Sequence, residues 1–292
     1  MKKPILLIGA NGQVGQELYR RFGQMGDVIA VARPEIDLTE PDTIKNAITK
    51  YNPGVIINAA AYTAVDRAET EVELAHQVNG VAPGIIGEIA EGMGAFLIHI
   101  STDYVFDGTN HRPYLPSDGT NPLSVYGKTK LAGEQAIQSV CRQYVILRTA
   151  WVYGNYGKSN FVKTMLRLGK EREEIRVVAD QIGSPTWAHD IANAIAEIIP
   201  HLQSEISGIY HYTNSGVASW YDFAVAIFRE AKQLGYDLQI QRVVPITTAE
   251  YPTPAHRPGF SVLDCRKLQD LLGNYPPHWQ EQLKQMLSEV KQ

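Results

Sequence analysis

The first 150 residues alternate short, nearly unbroken apolar runs with longer segments whose apolar positions recur at helical spacing. The runs are Ile5–Ile8, Val28–Ala32, Val55–Asn58, Phe96–Ile100 and Tyr144–Leu147. Continuous rather than alternating apolarity predicts strands buried on both faces. Between them, Val14–Phe22, Pro41–Tyr51, Glu71–Gly92 and Pro122–Val140 predict helices. Repeated strand–helix–strand order implies a doubly wound α/β fold, a parallel sheet with right-handed crossovers and helices on both faces.

The second half is less regular. Phe161–Gly169, Ala188–Ile199, Trp220–Gln233, Lys267–Leu272 and His278–Val290 predict helices, and Ile175–Ala179 and Ile209–Tyr212 predict strands. The stretch from Pro245 to Pro258 holds four prolines and reads as turns. There is no internal repeat and no low-complexity tract. A weakly patterned region following a doubly wound sheet is expected to supply the substrate side of a cleft.

Composition narrows the class without naming a function. With 44% hydrophobic and 20% charged residues, the 292-residue chain is neither disordered nor collagen-like nor a disulfide scaffold. A formal net charge of −4 and the lack of a basic block argue against nucleic acid or an anionic membrane as partner. Cys141 and Cys265 lie far apart without metal-ligand spacing, which suits a reducing cytoplasm. The start, Met1 to Ile8, has a leader-like look, but its apolar run stops at Gly9, too short for a secretion signal core. No stretch approaches the roughly 20 apolar residues of a membrane span, so a cytoplasmic protein is expected.

The first strand runs directly into Gly9-Ala10-Asn11-Gly12-Gln13-Val14-Gly15, and a helix follows. Glycines there permit a tight turn, backbone close to a pyrophosphate, and close packing of helix on strand. The helix N-terminus then faces the phosphates. A glycine triplet alone is weak; the preceding strand and following helix make it a Rossmann-type dinucleotide site. The second strand ends in Val31-Ala32-Arg33, with no acid at its tip. An Arg there accommodates the 2′-phosphate of NADP, so NADPH is the expected cofactor, with NADH tolerated. Asp37 and Leu38 just beyond complete that edge. Ala59, Ala60 and Ala61, after the third strand, let a ring or ribose approach the backbone.

Tyr126 and Lys130 stand four residues apart at the start of a helix expected to begin at Asn121-Pro122, and so share a face. A nearby ammonium lowers a phenol's pKa from ~10, which makes such a pair a credible proton-transfer unit for a carbonyl. Thr102, at the end of the fourth strand, is placed to hydrogen-bond the reacting oxygen, with Ser101 the nearer alternative. Asp103 either positions substrate hydroxyls or caps the turn.

Together Gly9–Gly15, the Ser101–Gly108 segment and Tyr126-Gly127-Lys128-Thr129-Lys130 resemble the extended short-chain dehydrogenase/reductase superfamily. The resemblance runs essentially end to end. It includes 58–66, 148–154, 180–186 and 257–264, the last three being the discriminating segments. It implies hydride transfer from a nicotinamide to C4 of a 4-keto-6-deoxy sugar nucleotide, a small-molecule substrate. By the same resemblance Tyr126 protonates the C4 oxygen, Lys130 holds the nicotinamide ribose and depresses the tyrosine's pKa, and Thr102 binds the same oxygen. Trp151 is expected against the sugar and Arg257 as a pyrophosphate clamp, with 148–187 and 213–264 cradling a thymidine diphosphate. The implied organisation is a cofactor part, 1–150 with 188–212 returning to it, and a sugar-nucleotide part, 151–187 and 213–292.

The resemblance also admits a homodimer and a magnesium ion associated with Glu17. A single carboxylate on a helix is ordinarily a solvated charge, so no metal site is assigned. The acidic run Asp66, Glu69, Glu71 and Glu73 reads as solvated charge complementing a helix dipole, and His99 as a buried, hydrogen-bonded core residue. Two other functions fit the same motifs. One is an epimerase or dehydratase that returns its hydride; the other is a non-catalytic regulatory subunit like the methionine adenosyltransferase β subunit.

Overall fold

A computed structural model describes residues 3–23 and 28–291; Met1 and Lys2 of the leader-like start lie outside them. The chain runs β1 (Ile5–Ile8), α1 (Gln13–Gly23), β2 (Val28–Val31), α2 (Pro41–Tyr51), β3 (Val55–Asn58), α3 (Val65–Ala68), α4 (Val72–His76), α5 (Ala82–Met93) and β4 (Phe96–Thr102). It continues with α6 (Val125–Val140), β5 (Tyr144–Thr149), β6 (Val152–Tyr153), α7 (Phe161–Glu171), β7 (Glu174–Val178), β8 (Ile182–Gly183), β9 (Thr186–Trp187) and α8 (Ala188–Ile198). The last elements are β10 (Gly208–His211), β11 (Ala218–Ser219), α9 (Trp220–Gln233), β12 (Arg242–Ile246), α10 (Arg266–Leu272) and α11 (Trp279–Lys291). Among the described residues no helix is long and apolar enough to cross a membrane.

Six strands form one parallel sheet in the order β10-β5-β4-β3-β1-β2. Successive side chains of a strand face opposite ways, so each buried strand feeds two cores. Leu7, Ile57, Ile98 and Leu147 pack with Leu18 and Phe22 of α1 and Ile191 and Ile195 of α8. Leu6, Ile8, Ile56, Leu97 and Ile146 pack on the other face with Ile44 of α2, Ile86 of α5 and Ile137 of α6. The order reverses between β1 and β3, and the crevice outside the carboxyl ends of strands at such a switch is where open α/β sheets bind ligands. A separate core around Phe223, Trp187 and Trp279 joins α7, α9 and α11 with β7.

Several elements differ from the sequence pattern for identifiable reasons. The helix expected over Glu71–Gly92 is α4 and α5 joined by a π turn, Gln77–Val81. Pro83 lacks an N–H and its ring crowds the carbonyl four residues back, which widens the turn there. The α6 helix starts at Val125, not at Pro122, because the Ser124 side chain caps it by accepting from Gly127 N–H at 3.1 Å. The β12 strand falls partly in the stretch read as turns; it pairs in parallel with β7 in a two-stranded sheet, where Pro245 is tolerated at an edge.

Candidate active site

The glycine loop leaves β1 at the switch point. Gly9 has φ +87°, and a Cβ there would lie 2.6 Å from Ala60 N, so the loop and the end of β3 touch backbone to backbone. A Cβ on Gly15 would lie 2.0 Å from Gly9 O, which is how α1 sits so close on β1. At Gly12 only Gly9 O, at 3.2 Å, would lie near a Cβ, leaving the outer side of the turn open. The first helical bond is Gln16 N–H to Gly12 O, so the N–H groups of Gln13, Val14 and Gly15 precede it and form an anion-receptive end. Ala10 and Asn11 also line a 430 Å³ surface cavity with Tyr19, Arg20 and Tyr156. Arg33 is exposed at the end of β2; Asp37 accepts from Thr39 N–H and hydroxyl, which holds its carboxyl low, and Leu38 is buried behind it. These features fit a phosphorylated dinucleotide: backbone donors for the pyrophosphate and an exposed guanidinium beyond β2.

The reacting groups gather at the carboxyl end of β4. Gly127 lets α6 approach this end, since a Cβ there would lie 2.2 Å from Tyr104 O. Tyr104 and Tyr126 meet edge to face with centroids 5.4 Å apart. Burial pushes the Tyr126 phenol up to about 12, while a hydrogen bond with Thr102 pulls the other way. The depression expected from Lys130 does not arise: the charged group that bears on the phenol is Asp103, which raises it further. Thr102 donates to Asp103 Oδ1 at 3.0 Å, and burial raises the Asp103 carboxyl to about 6 against the Ser261 and Thr102 hydroxyls. Lys130 Nζ donates to Ile100 O at 2.7 Å and lies 3.2 Å from His99 Nε2; burial lowers it to about 8. Glu134, one turn beyond, bears on it in the opposite sense and is itself ion-paired with buried Arg148 at 2.6 Å.

The second part contributes the other wall. Trp151, at φ +48°, stacks on Trp220 with centroids 3.6 Å apart and rings 5° from parallel. Arg257 forms a two-pronged pair with Asp66 (3.0 and 2.8 Å), joining the 253–257 segment to α3. Thus Thr102, Asp103, Tyr126 and Lys130 stand together, the Gly9–Gly15 loop meets Ala59–Ala60 beside them, and Arg33, Asp37 and Leu38 sit apart at the end of β2.

Three sequence readings need correction. Of the acidic run, Glu73 is exposed in the first turn of α4 as expected, but the other three are engaged: Asp66 holds Arg257, Glu69 accepts from Val125 N–H at 2.8 Å at the start of α6, and Glu71 bonds Arg67 and the Tyr62 hydroxyl. Glu17 is buried on α1 with Oε2 3.5 Å from His189 Nδ1. The helix bearing Tyr126 begins three residues later than expected. The sequence reading also missed Asn79, whose side chain accepts from Tyr62 N–H, donates to Tyr62 O and reaches Thr129, tying the loop after β3 to α6. Nothing in its neighbourhood signals that role. Glu134 was findable: it continues the Tyr126, Lys130 spacing by one more turn.

The chain is 43% identical over 292 residues to dTDP-4-dehydrorhamnose reductase of Escherichia coli (strain K12), covering 98% of this chain and 97% of that one. A crystal structure of dTDP-4-dehydrorhamnose reductase from Bacillus anthracis str. Ames in complex with NADP superposes with TM-score 0.92 at 38% identity, covering 99% of this chain and all of the other. UDP-glucose 4-epimerase of Thermus thermophilus shares the fold, with TM-score 0.80 at 19% identity over 99% of each chain. The RmlD substrate binding domain model matches residues 1–292, and the chain belongs to that family.

Proposed function

We propose that this protein reduces the C4 keto group of dTDP-4-dehydro-β-L-rhamnose to dTDP-L-rhamnose, with NADPH as donor and NADH as a weaker second. The observation that carries this reading is the meeting of the Thr102 hydroxyl and the Tyr126 phenol at the end of β4, beside a dinucleotide loop. Relatives of high coverage bearing the reductase name, one solved with NADP, support it.

In this reading Gly9, Asn11, Gly12, Gln13, Val14 and Gly15 hold the pyrophosphate, and Ala59, Ala60, Ala61 and Lys130 flank the nicotinamide side. Arg33, Asp37 and Leu38 receive the adenosine end, where Arg33 favours the phosphorylated ribose. NADPH bound there supplies the hydride. A phenol held above its ordinary value carries its proton at neutral pH, so Tyr126 is ready to donate to the C4 oxygen as negative charge develops on it. Thr102 hydrogen-bonds the same oxygen. Asp103 and Trp151 orient the sugar, and Arg257, released from Asp66, pairs with the diphosphate. Residues 1–150 with 188–212 form the cofactor part and 151–187 with 213–292 the sugar-nucleotide part, in a cytoplasmic homodimer.

The test is an absorbance assay of the full chain with dTDP-4-dehydrorhamnose, with NMR of the product. One NADPH oxidised per dTDP-L-rhamnose formed is expected, and Tyr126→Phe should lose at least ~100-fold in kcat. Turnover without net NADPH consumption points to an epimerase. Lack of turnover with either cofactor, or a fully active Tyr126→Phe, overturns the assignment and favours a regulatory subunit.

A further inference from the structure

A chain of four hydrogen-bonding groups runs beneath the site, and its direction is set at one end. Asn58 and His99 are register partners on adjacent strands β3 and β4, both almost wholly buried. Ala60 N–H donates to Asn58 Oδ1 at 3.1 Å. A backbone N–H has no acceptor form, so the Asn58 amide cannot be turned round, and its Nδ2–H points at His99 Nδ1, 3.2 Å away. Nδ1 must then offer a lone pair. A neutral imidazole with a bare Nδ1 carries its hydrogen on Nε2, and Nε2 lies 3.2 Å from Lys130 Nζ. An ammonium has only hydrogens to present there, whereas an amine has one lone pair for Nε2–H and still donates to Ile100 O.

We propose that His99 is a positioning residue for Lys130: the relay from Ala60 N–H through Asn58 aims the imidazole N–H at Nζ and favours the amine over the ammonium. The inference rests on the reductase reading only for what it does to turnover. Burial acts on Lys130 in the same direction as the relay. Burial and Lys130 together hold His99 well below its ordinary value, so the imidazole stays neutral. One charged group opposes the relay. Glu134, on the same helix, draws Lys130 toward the ammonium, and its carboxylate is itself ion-paired with Arg148 of β5. Tyr126 on α6 and Asp103 beyond β4 bear on one another rather than on Lys130. The outcome is a lysine that gains and loses its proton near neutrality, beside a reaction that takes one up. The substitution Asn58→Asp is nearly isosteric and reverses the relay: its carboxylate calls for a hydrogen on Nδ1, leaving Nε2 to accept from an ammonium.

Two measurements on the 292-residue chain decide it. Long-range 1H–15N NMR of the imidazoles, with the His99 signals assigned by their loss in His99→Gln or by their shift in Lys130→Met, should show a hydrogen on Nε2 and a bare Nδ1 from pH 6 to 9. A wild-type Nδ1–H form, or an imidazolium at pH 6, overturns the proposal. In Asn58→Asp the hydrogen should move to Nδ1, and the alkaline limb of kcat for NADPH oxidation should rise by one pH unit or more. A flipped imidazole with an unmoved limb also overturns it. The expected NMR pattern in a protein that turns over no keto sugar would count against the reductase reading and leave the relay standing.

Discussion

At the scale of single residues, the site is built from ionisable side chains displaced by burial. Asp103 is the sharpest case: its carboxyl titrates at about 6 instead of 3.8, so carrying its charge costs folding free energy above that pH. Below pH 4 it is protonated folded or unfolded and contributes no difference; the cost grows between 4 and 6 and is complete above 6. Asp103→Asn should therefore be more stable than wild type at pH 8, by on the order of 3 kcal/mol, and match it near pH 3.5. Thermal melts at both values check this, and a gain that persists at low pH would assign the effect to packing. Thr102, Asp103, Tyr126 and Lys130 were legible as residue types at the end of a strand and the start of a helix. The direction of their shifts was not, because burial is set by segments far along the chain: Ser261 faces Asp103 across more than 150 positions.

At the scale of elements, what matters is how closely α6 lies on the turn after β4. The Tyr-Gly-Lys sequence reads as a reaction motif, yet its glycine serves the backbone contact with Tyr104 O. Gly127→Ala should cost about 1–3 kcal/mol by forcing α6 away and should lower kcat more than the stability loss alone explains, as Tyr126 leaves Thr102. Denaturant melts alongside single-turnover rates test it; an alanine variant with wild-type stability would show that the contact relaxes freely. The strands of the sheet were readable because burial on both faces leaves continuous apolar runs. The short strands β6, β8, β9 and β11 were not, since two residues carry no period. The π turn before α5 was hidden for a related reason: its cause, Pro83, sits where a proline could equally open a new helix.

At the scale of the whole molecule, the dinucleotide loop is fastened directly to the second part. Gln13 Nε2 donates to Val152 O at 3.1 Å, and Asn160 Nδ2 donates to Gln13 Oε1 at 2.7 Å. A residue expected only to touch a cofactor thus reports its position to the segment that follows Trp151. Calorimetry should find that NADP+ strengthens sugar-nucleotide binding in the wild type and that this factor falls toward one in Gln13→Ala, while the melting temperature changes little. An unchanged factor would mean that coupling travels by another route. A larger consequence lies in the order of the sheet. Its outer strand β10 comes from residues 208–211, and α8, which covers α1, from 188–198. A ribosome that has released the first 150 residues has therefore delivered five strands with the β5 edge unpaired and one face covered by α1 alone. During synthesis the nascent half must wait, exposed, for some sixty more residues, about 3–12 s at 5–20 residues per second, and chaperone demand should be concentrated in that interval.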